Sequence, residues 1–397
     1  MKNVSRLCGV IKNYDWGGKD FLPNLIGIPN PERKPFAEYW MGTHPGGAAV
    51  LLDSSGKTIS LLEITKAEPE KILGAAVARE YGSLPYLFKV LDAEKMLSIQ
   101  AHPTAGHARA GFERENQLGI SFDAPSRNYK DSNSKPEIHV ALTDFYMLHG
   151  FRNFEEIKKL ISSIPAFRPL TLPKTLKELY TSLMTMDQQV VNSLLGDLLA
   201  DLGNDENKFS KEDPHHWAIK AAKNFKLANG NLDRGIFSIY LLNLLKLTPG
   251  QGTFQGAGEL HAYLEGVTME LMANSDNVLR GGLTPKHVDV PELLRTLTFE
   301  EKTPTVLEGE TQGQVTVYKT PAREFELSRI QVLPDKKFES ESSFSAEILI
   351  ITQGSVEILY QNVKLKLGRG NCFFVPSSMD YQLFGTATLY KAAVPQI

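Results

Sequence analysis

Over the first 152 or so residues, apolar positions come in short runs broken by Gly, Pro and Ser. Ala48, Val50 and Leu52 alternate ahead of Asp53-Ser54-Ser55-Gly56, and Tyr86-Leu87-Phe88-Lys89-Val90-Leu91 is almost continuous. Short strands punctuated by turn residues predict an all-β sandwich or barrel. Helices near 61–73 and 106–118 are the expected exceptions. From about 153 the period changes. Phe154, Ile157, Leu160 and Ile161 recur at helical spacing, as do Leu176, Leu179, Tyr180 and Leu183. Val191, Leu194, Leu195, Leu198 and Leu202 continue the pattern to a stop at Gly203-Asn204. Further helices are predicted over 216–227 and 236–247. Their leucine rows read as core faces, because amphipathic helices bury such stripes.

Strand-like text resumes at Gly250 and, beyond Thr303, becomes a series of alternating runs: Gln314-Val315-Thr316-Val317-Tyr318, Phe325-Glu326-Leu327-Ser328 and Ala346-Glu347-Ile348-Leu349-Ile350-Ile351. Gly370-Asn371-Cys372-Phe373-Phe374-Val375-Pro376 then gives a turn glycine, a strand and a closing proline. That ending resembles the second half of a cupin barrel. Where a cupin offers a histidine ligand downstream, this chain has Tyr381, so the terminal barrel is expected to hold no metal. The expected fold is mainly β with an α insert. It comprises a cupin-type β domain over 1–152 and 248–302, a helical insert over 153–247, and a second cupin-like β domain over 303–397 without metal ligands.

At 397 residues the chain is long for a single core. A net charge of -3 gives no electrostatic reason to expect nucleic acid. No apolar stretch reaches the length of a membrane span, and the N-terminus lacks a signal-peptide pattern. Cys8 and Cys372 are the two cysteines, far apart and without metal or redox spacing. A reducing compartment fits, with a single disulfide left open. The expectation is a cytoplasmic enzyme or binding protein. No feature of the pattern sets an oligomeric state.

Three polar strands carry the chemistry. In Leu97-Ser98-Ile99-Gln100-Ala101-His102-Pro103, the side chains of Ser98, Gln100 and His102 share one face. Lys135 and Glu137 share a face in Lys135-Pro136-Glu137-Ile138-His139, and so does His139. The glycines of Gly256-Ala257-Gly258 turn the chain into a strand that presents His261 and Tyr263 on one side. Gln, His, Glu and His form a nitrogen and oxygen donor set suited to zinc and other first-row divalent ions. Strand parity alone equally allows a set of Gln100, His102, His139 and His261.

Ser98-Ile99-Gln100-Ala101-His102-Pro103, Lys135-Pro136-Glu137, Gly258-Glu259-Leu260-His261-Ala262-Tyr263 and the run from Asn274 through Arg280 to Lys286 closely resemble the type I phosphomannose isomerase family, which belongs to the cupin superfamily. So do Asn13-Tyr14-Asp15-Trp16-Gly17 and Glu38-Tyr39-Trp40-Met41-Gly42-Thr43-His44-Pro45. The motifs keep their order over nearly the whole chain. The resemblance implies an enzyme with one Zn²⁺ per chain that interconverts mannose 6-phosphate and fructose 6-phosphate. It also implies the ligands Gln100, His102, Glu137 and His261. The implied partner is a small sugar phosphate, with neither nucleic acid nor membrane.

Aldose–ketose interconversion moves a proton between C2 and C1, and needs ring opening, a base and a stabiliser for a developing oxyanion. Lys135 is the leading base candidate, since it sits two residues before a ligand. Arg280 is a fixed cation for an enediolate or a phosphate, or else the partner of Asp276 four residues earlier. Asp276 reads as a ring-opening acid or base, or as a turn cap within Asn274-Ser275-Asp276-Asn277. No glycine-rich phosphate loop is present, so phosphate would rest on Ser98, Lys89, Lys286 and Arg280. Glu270, Tyr263 and Trp16 are candidate sugar contacts. Many relatives carry a histidine just before the Lys-Pro-Glu segment. Ser134 stands there in this chain, so no proton shuttle is carried over to it. His44, His107, His149, His215, His216 and His287 read as surface, turn or supporting residues. The rival readings are an Fe(II) cupin dioxygenase, built on His102, Glu137 and His261, and a non-catalytic sugar-phosphate-binding regulator.

Overall fold

The computed structural model describes residues 3–52, 56–227, 229–361 and 363–396, so Asp53-Ser54-Ser55, where the sequence predicts a turn, lie outside the described residues. The protein is mainly β-sheet with helices. An eleven-stranded and a ten-stranded sheet carry it, and the strand pairings among the described residues trace open, branched paths instead of closed rings. No described helix is long and apolar enough to cross a membrane. Cys8 and Cys372 are free thiols.

The strand His261–Ala273 organises the ten-stranded sheet. Its first residues pair with Phe145–Phe151 and, at His261, with Gln100. After a bulge between Tyr263 and Glu265 it pairs instead with Tyr86–Ala93 and Glu137–Ala141. A bulge bends a strand and increases its twist. Gly266 permits the bend, with φ of 122° and a Cβ position only 2.4 Å from the carbonyl oxygen of Asp144. One strand thereby serves two sets of neighbours and swings His261 toward Glu137.

Helices fill 154–241. Their starts follow from the sequence. Asn153, Asp187 and Asp213 accept hydrogen bonds from first-turn N–H groups, Thr175 and Glu178 form a capping box, and Pro214 stands at the start of Pro214–Asn224. The leucine rows face inward as expected: Leu179, Leu194, Leu195 and Leu198 share a cluster with Trp217, with Ile99 and Leu148 of the sheet, and with Leu260 just before His261–Ala273. Two helix expectations need correction. The helix predicted over 236–247 ends at Leu241, and Leu242–Leu247 is a strand paired with Phe145–Phe151. Its leucines fit either period, and the open edge of Phe145–Phe151 decides. The helix near 61–73 breaks into Leu61–Ala67 and Pro69–Leu73, because proline clashes with the preceding turn and offers no N–H.

A second apolar cluster lies between the sheets, joining Phe88, Val140 and Leu271 to Ile348, Ile350 and Phe374. A third, built on Ile330, Leu349, Phe373 and Leu389, fills the C-terminal region. There Tyr381 is buried and donates to Glu347 Oε2 at 3.0 Å, while Lys391 meets Glu347 Oε1 at 2.9 Å.

Candidate active site

A cavity of about 800 Å³ opens over the ten-stranded sheet. Sheet register lays out its wall. Trp40 stands opposite Lys89, Lys89 opposite Glu270, and Glu270 opposite His139, in one lateral row. Gln100 stands opposite His261 on one side and Arg280 on the other. Pairs of this kind hold side chains within reach across a sheet.

At the buried end His102, Glu137 and His261 converge, each at most 1 % exposed. His102 Nε2 is 3.3 Å from Glu137 Oε1, and His261 Nε2 is 3.6 Å from Glu137 Oε2. Each imidazole is oriented through its other nitrogen: His102 Nδ1 donates to the carbonyl of Asn277 at 2.8 Å, and His261 Nδ1 to that of Glu259 at 3.1 Å. This fixes the tautomer with a lone pair on each inward Nε2. Both Nε2 atoms are buried without a hydrogen-bond partner, and Glu137 Oε1 beside them meets the Lys135 ammonium. Buried polar atoms left unpaired are costly, and two imidazole nitrogens converging on one carboxylate are what a cation would satisfy. Burial, and then Lys135, push the His102 pKa down, Glu137 opposing them. Burial and His102 bring His261 down to about 3. Burial alone would raise the Glu137 carboxyl, but Lys135 and then His102 hold it well below the usual range. The set is thus two neutral imidazoles and a carboxylate, the protonation states that a divalent metal binds.

His139 does not share this group. It clusters with Glu137 and Glu270 instead, its Nε2 against the Tyr263 hydroxyl, which donates to Glu137 Oε2 at 2.9 Å. Lys135 Nζ lies 2.9 Å from Glu137 Oε1. Lys89 is buried between Glu38 and Glu270, at 3.0 and 2.8 Å. Arg280 lines the cavity with its Nε buried and unpartnered, and burial lowers its pKa. Lys286 lies at the exposed mouth, its pKa lowered by burial and then by Arg280 and Lys130. Asp276 pairs with His44 Nε2 at 3.4 Å and not with Arg280; that contact, more than any other, lowers its pKa. Ser98 and Gln100 line the same cavity, as does Trp16, stacked on Tyr14 at 5.7 Å between ring centroids.

Sequence reasoning passed over Glu38, Lys130 and Asn277, and left His44 among surface, turn or supporting residues without naming Asp276 as its partner. Glu38 had a signal, as a charge in a strand whose residues are otherwise apolar or glycine, on the same face as Trp40. Asn277 had none, since it acts on His102 through its backbone carbonyl.

Residues 4–154 match the family model for the catalytic domain of type I phosphomannose isomerase. The mannose-6-phosphate isomerase of Escherichia coli K12 is 37 % identical over 385 residues, covering 94 % of this chain and 95 % of that protein. The chain belongs to the type I phosphomannose isomerase family. Mannose-6-phosphate isomerase 1 of Arabidopsis thaliana is 30 % identical over 422 residues, covering 99 % and 94 % of the two chains. The crystal structure of the Salmonella typhimurium mannose 6-phosphate isomerase with fructose 6-phosphate and zinc superposes with a TM-score of 0.89 at 35 % identity. It covers 99 % of this chain and 100 % of that one. In this phosphomannose isomerase family member, metal-type donors lie at the buried end of the cavity and cations toward its mouth.

Proposed function

We propose that the protein is a zinc-dependent aldose–ketose isomerase that interconverts D-mannose 6-phosphate and D-fructose 6-phosphate by proton transfer through an enediol. The observation that carries this reading is the meeting of two unpartnered, buried imidazole nitrogens, from His102 and His261, on the buried Glu137 carboxylate. They adjoin a cavity that also presents Arg280, Lys286 and Lys135. Gln100, His102, Glu137 and His261 would hold one Zn²⁺, which when bound supplies Lewis acidity beside the sugar's O1 and O2.

The chain's own groups do the rest. Lys135 takes the proton at C2 and returns it at C1. Arg280 presents a planar fork of donors to the enediolate oxygens or the phosphate. The Asp276–His44 pair moves a proton at the ring oxygen during ring opening. Ser98 and Lys286 complete the phosphate contacts. Lys89, neutralised by Glu38 and Glu270, orients Glu270 and the wall on which Tyr263 and Trp16 meet the sugar. The same reading takes the β scaffold as cupin-type, with 1–152 and 248–302 as the catalytic domain and 153–247 as the helical insert. It takes 303–397 as a domain without metal ligands, and Tyr381 and Lys391 on Glu347 support this.

The test is a coupled assay of mannose 6-phosphate turnover on zinc-loaded protein and on protein stripped by a chelator. Turnover should vanish on stripping and return with Zn²⁺. Full activity in protein shown by elemental analysis to be free of metal would overturn the proposal.

A further inference from the structure

A second cavity, of about 400 Å³, lies between the C-terminal strands and the end of Glu137–Ala141, and shares no lining residue with the first. Strand parity explains its chemistry. Leu327, Ile348, Ile350, Tyr390 and Ala392 belong to the apolar cluster between the sheets, whereas Ile330, Ile351 and Leu389 point into the C-terminal interior. Residues in step with the first set are therefore aimed at the seam. Along that face the apolar series gives way to Arg329, Gln331 and Thr388, with Arg329 opposite Tyr390 and Gln331 opposite Thr388. A bulge between Ile351 and Gln353 adds Thr352 to the same recess.

Two guanidinium groups reach this recess. Arg329 lies against the Gly250 turn, its Nη1 2.6 Å from where a side chain at Gly250 would begin, and its Nε is buried without a hydrogen-bond partner. Arg369 is anchored from outside: its Nε donates to the Thr352 carbonyl and its Nη1 to the Asn24 carbonyl, both at 3.3 Å. Neither arginine has a carboxylate within 4.0 Å among the described residues. Phe21, Leu142 and Pro249 supply apolar wall. Seams between structural units are preferred ligand sites, and paired arginines without acids suit a planar or tetrahedral oxyanion.

We propose that this seam cavity is a second ligand site, which binds a phosphate dianion, free or as the monoester of a small molecule, between Arg329 and Arg369. In a monoester, the organic part rests on Phe21, Leu142 and Pro249. The proposal goes beyond the isomerase reading and does not depend on it.

The test is calorimetric titration of the zinc-loaded, full-length protein with inorganic phosphate and, separately, with glycerol 3-phosphate. Arg280→Gln protein, whose first cavity has lost its central cation, should still bind one phosphate per chain. Adding Arg329→Gln or Arg369→Gln should weaken that binding at least tenfold. In phosphate-free buffer, Arg329→Gln and Arg369→Gln alone should leave kcat and KM for mannose 6-phosphate unchanged. Arg369 is exposed, so its variant keeps the test open if Arg329→Gln does not fold. Tighter binding of glycerol 3-phosphate would assign the site to a monoester, and tighter binding of inorganic phosphate to the free ion. The proposal is overturned if no phosphate binding survives Arg280→Gln, or if both seam variants bind phosphate as the parent does.

Discussion

Changing Tyr263 to phenylalanine removes one oxygen atom, and, read beside His139→Ala, the outcome discriminates between the two metal groupings at Glu137. Tyr263 is 2 % exposed, and its hydroxyl donates to Glu137 Oε2 at 2.9 Å while meeting His139 Nε2. Burial, then the charges of Glu137 and Glu270, push its pKa well above that of a free phenol, so it remains a donor at neutral pH. Its ring packs on Phe145 at 5.7 Å between centroids, a contact phenylalanine keeps. A hydrogen bond to a charged group contributes about 1.5–3 kcal/mol. At about 1.4 kcal/mol per decade this is a loss of roughly tenfold to 150-fold. Removing the outer partner of a metal ligand weakens metal binding by about 10–100-fold. Tyr263→Phe should therefore weaken zinc binding about 10–100-fold, read by competition against a chelator of known affinity. His139→Ala is the companion measurement and should move zinc affinity far less, because His139 Nε2 stands 3.7 Å from Glu137 Oε2, beyond hydrogen-bond reach, and meets the Tyr263 hydroxyl instead. Wild-type zinc affinity in a normally folded Tyr263→Phe protein would refute the argument. A collapse of affinity in His139→Ala alone would shift the metal to the Glu137–His139–Glu270 group.

Two further outcomes follow from the same geometry. Lys135→Met should keep full zinc occupancy by elemental analysis yet lose about 10²–10⁴-fold in turnover, the usual cost of a missing general base; near-normal turnover would remove the lysine from the mechanism. The Asp92 carboxyl is raised from 3.8 to about 7, first by burial, with a hydrogen bond from Leu22 opposing. Its folded pKa exceeds its unfolded one, so its contribution to stability is complete below about pH 4 and is lost as pH rises through about 7. Asp92→Asn should thus be more stable than wild type at pH 8, by at most about 4 kcal/mol, with the gain vanishing near pH 4. Urea melts of zinc-saturated protein at both pH values check this, and a variant less stable than wild type at pH 8 would contradict it.

Much of the site is legible because its donors interrupt strands that are otherwise apolar. Gln100, His102, Glu137 and His261 stand out for that reason. The choice between Glu137 and His139 is not written locally, since both point from one face of one strand. Which of the two meets His102 and His261 is set by the bend at Gly266 and by the pairing of His261 with Gln100, contacts between segments more than a hundred residues apart. The same limit hid the partners of Lys89. A lysine in a strand reads as a free cation until register brings Glu38 and Glu270 to either side of it. Leu242–Leu247 misled for a different reason: leucine-rich text fits both periods, and the sheet edge that captures it belongs to a distant strand. The helices at 154–224 were easier, because their caps and stripes are local.

Where the carboxylates sit also decides how the proposed substrate must enter. Lys89 is neutralised by two glutamates and Lys135 is paired with Glu137, so the wall near His102 and His261 has no cation to spare. Arg280 and Lys286 have no carboxylate partner among the described residues, and together with Lys130 they crowd one another. A phosphate dianion relieves that crowding. Turned the other way, the same dianion would face Glu38, Glu137 and Glu270, and like charges in a buried wall repel strongly. Under the proposed function this favours one orientation of the sugar phosphate, with its phosphate toward Lys286 and Arg280 and its C1–C2 end toward Lys135 and Glu137. In that orientation Glu38, Glu137 and Glu270 would act at a distance from the phosphate, by engaging the lysines that would otherwise attract it.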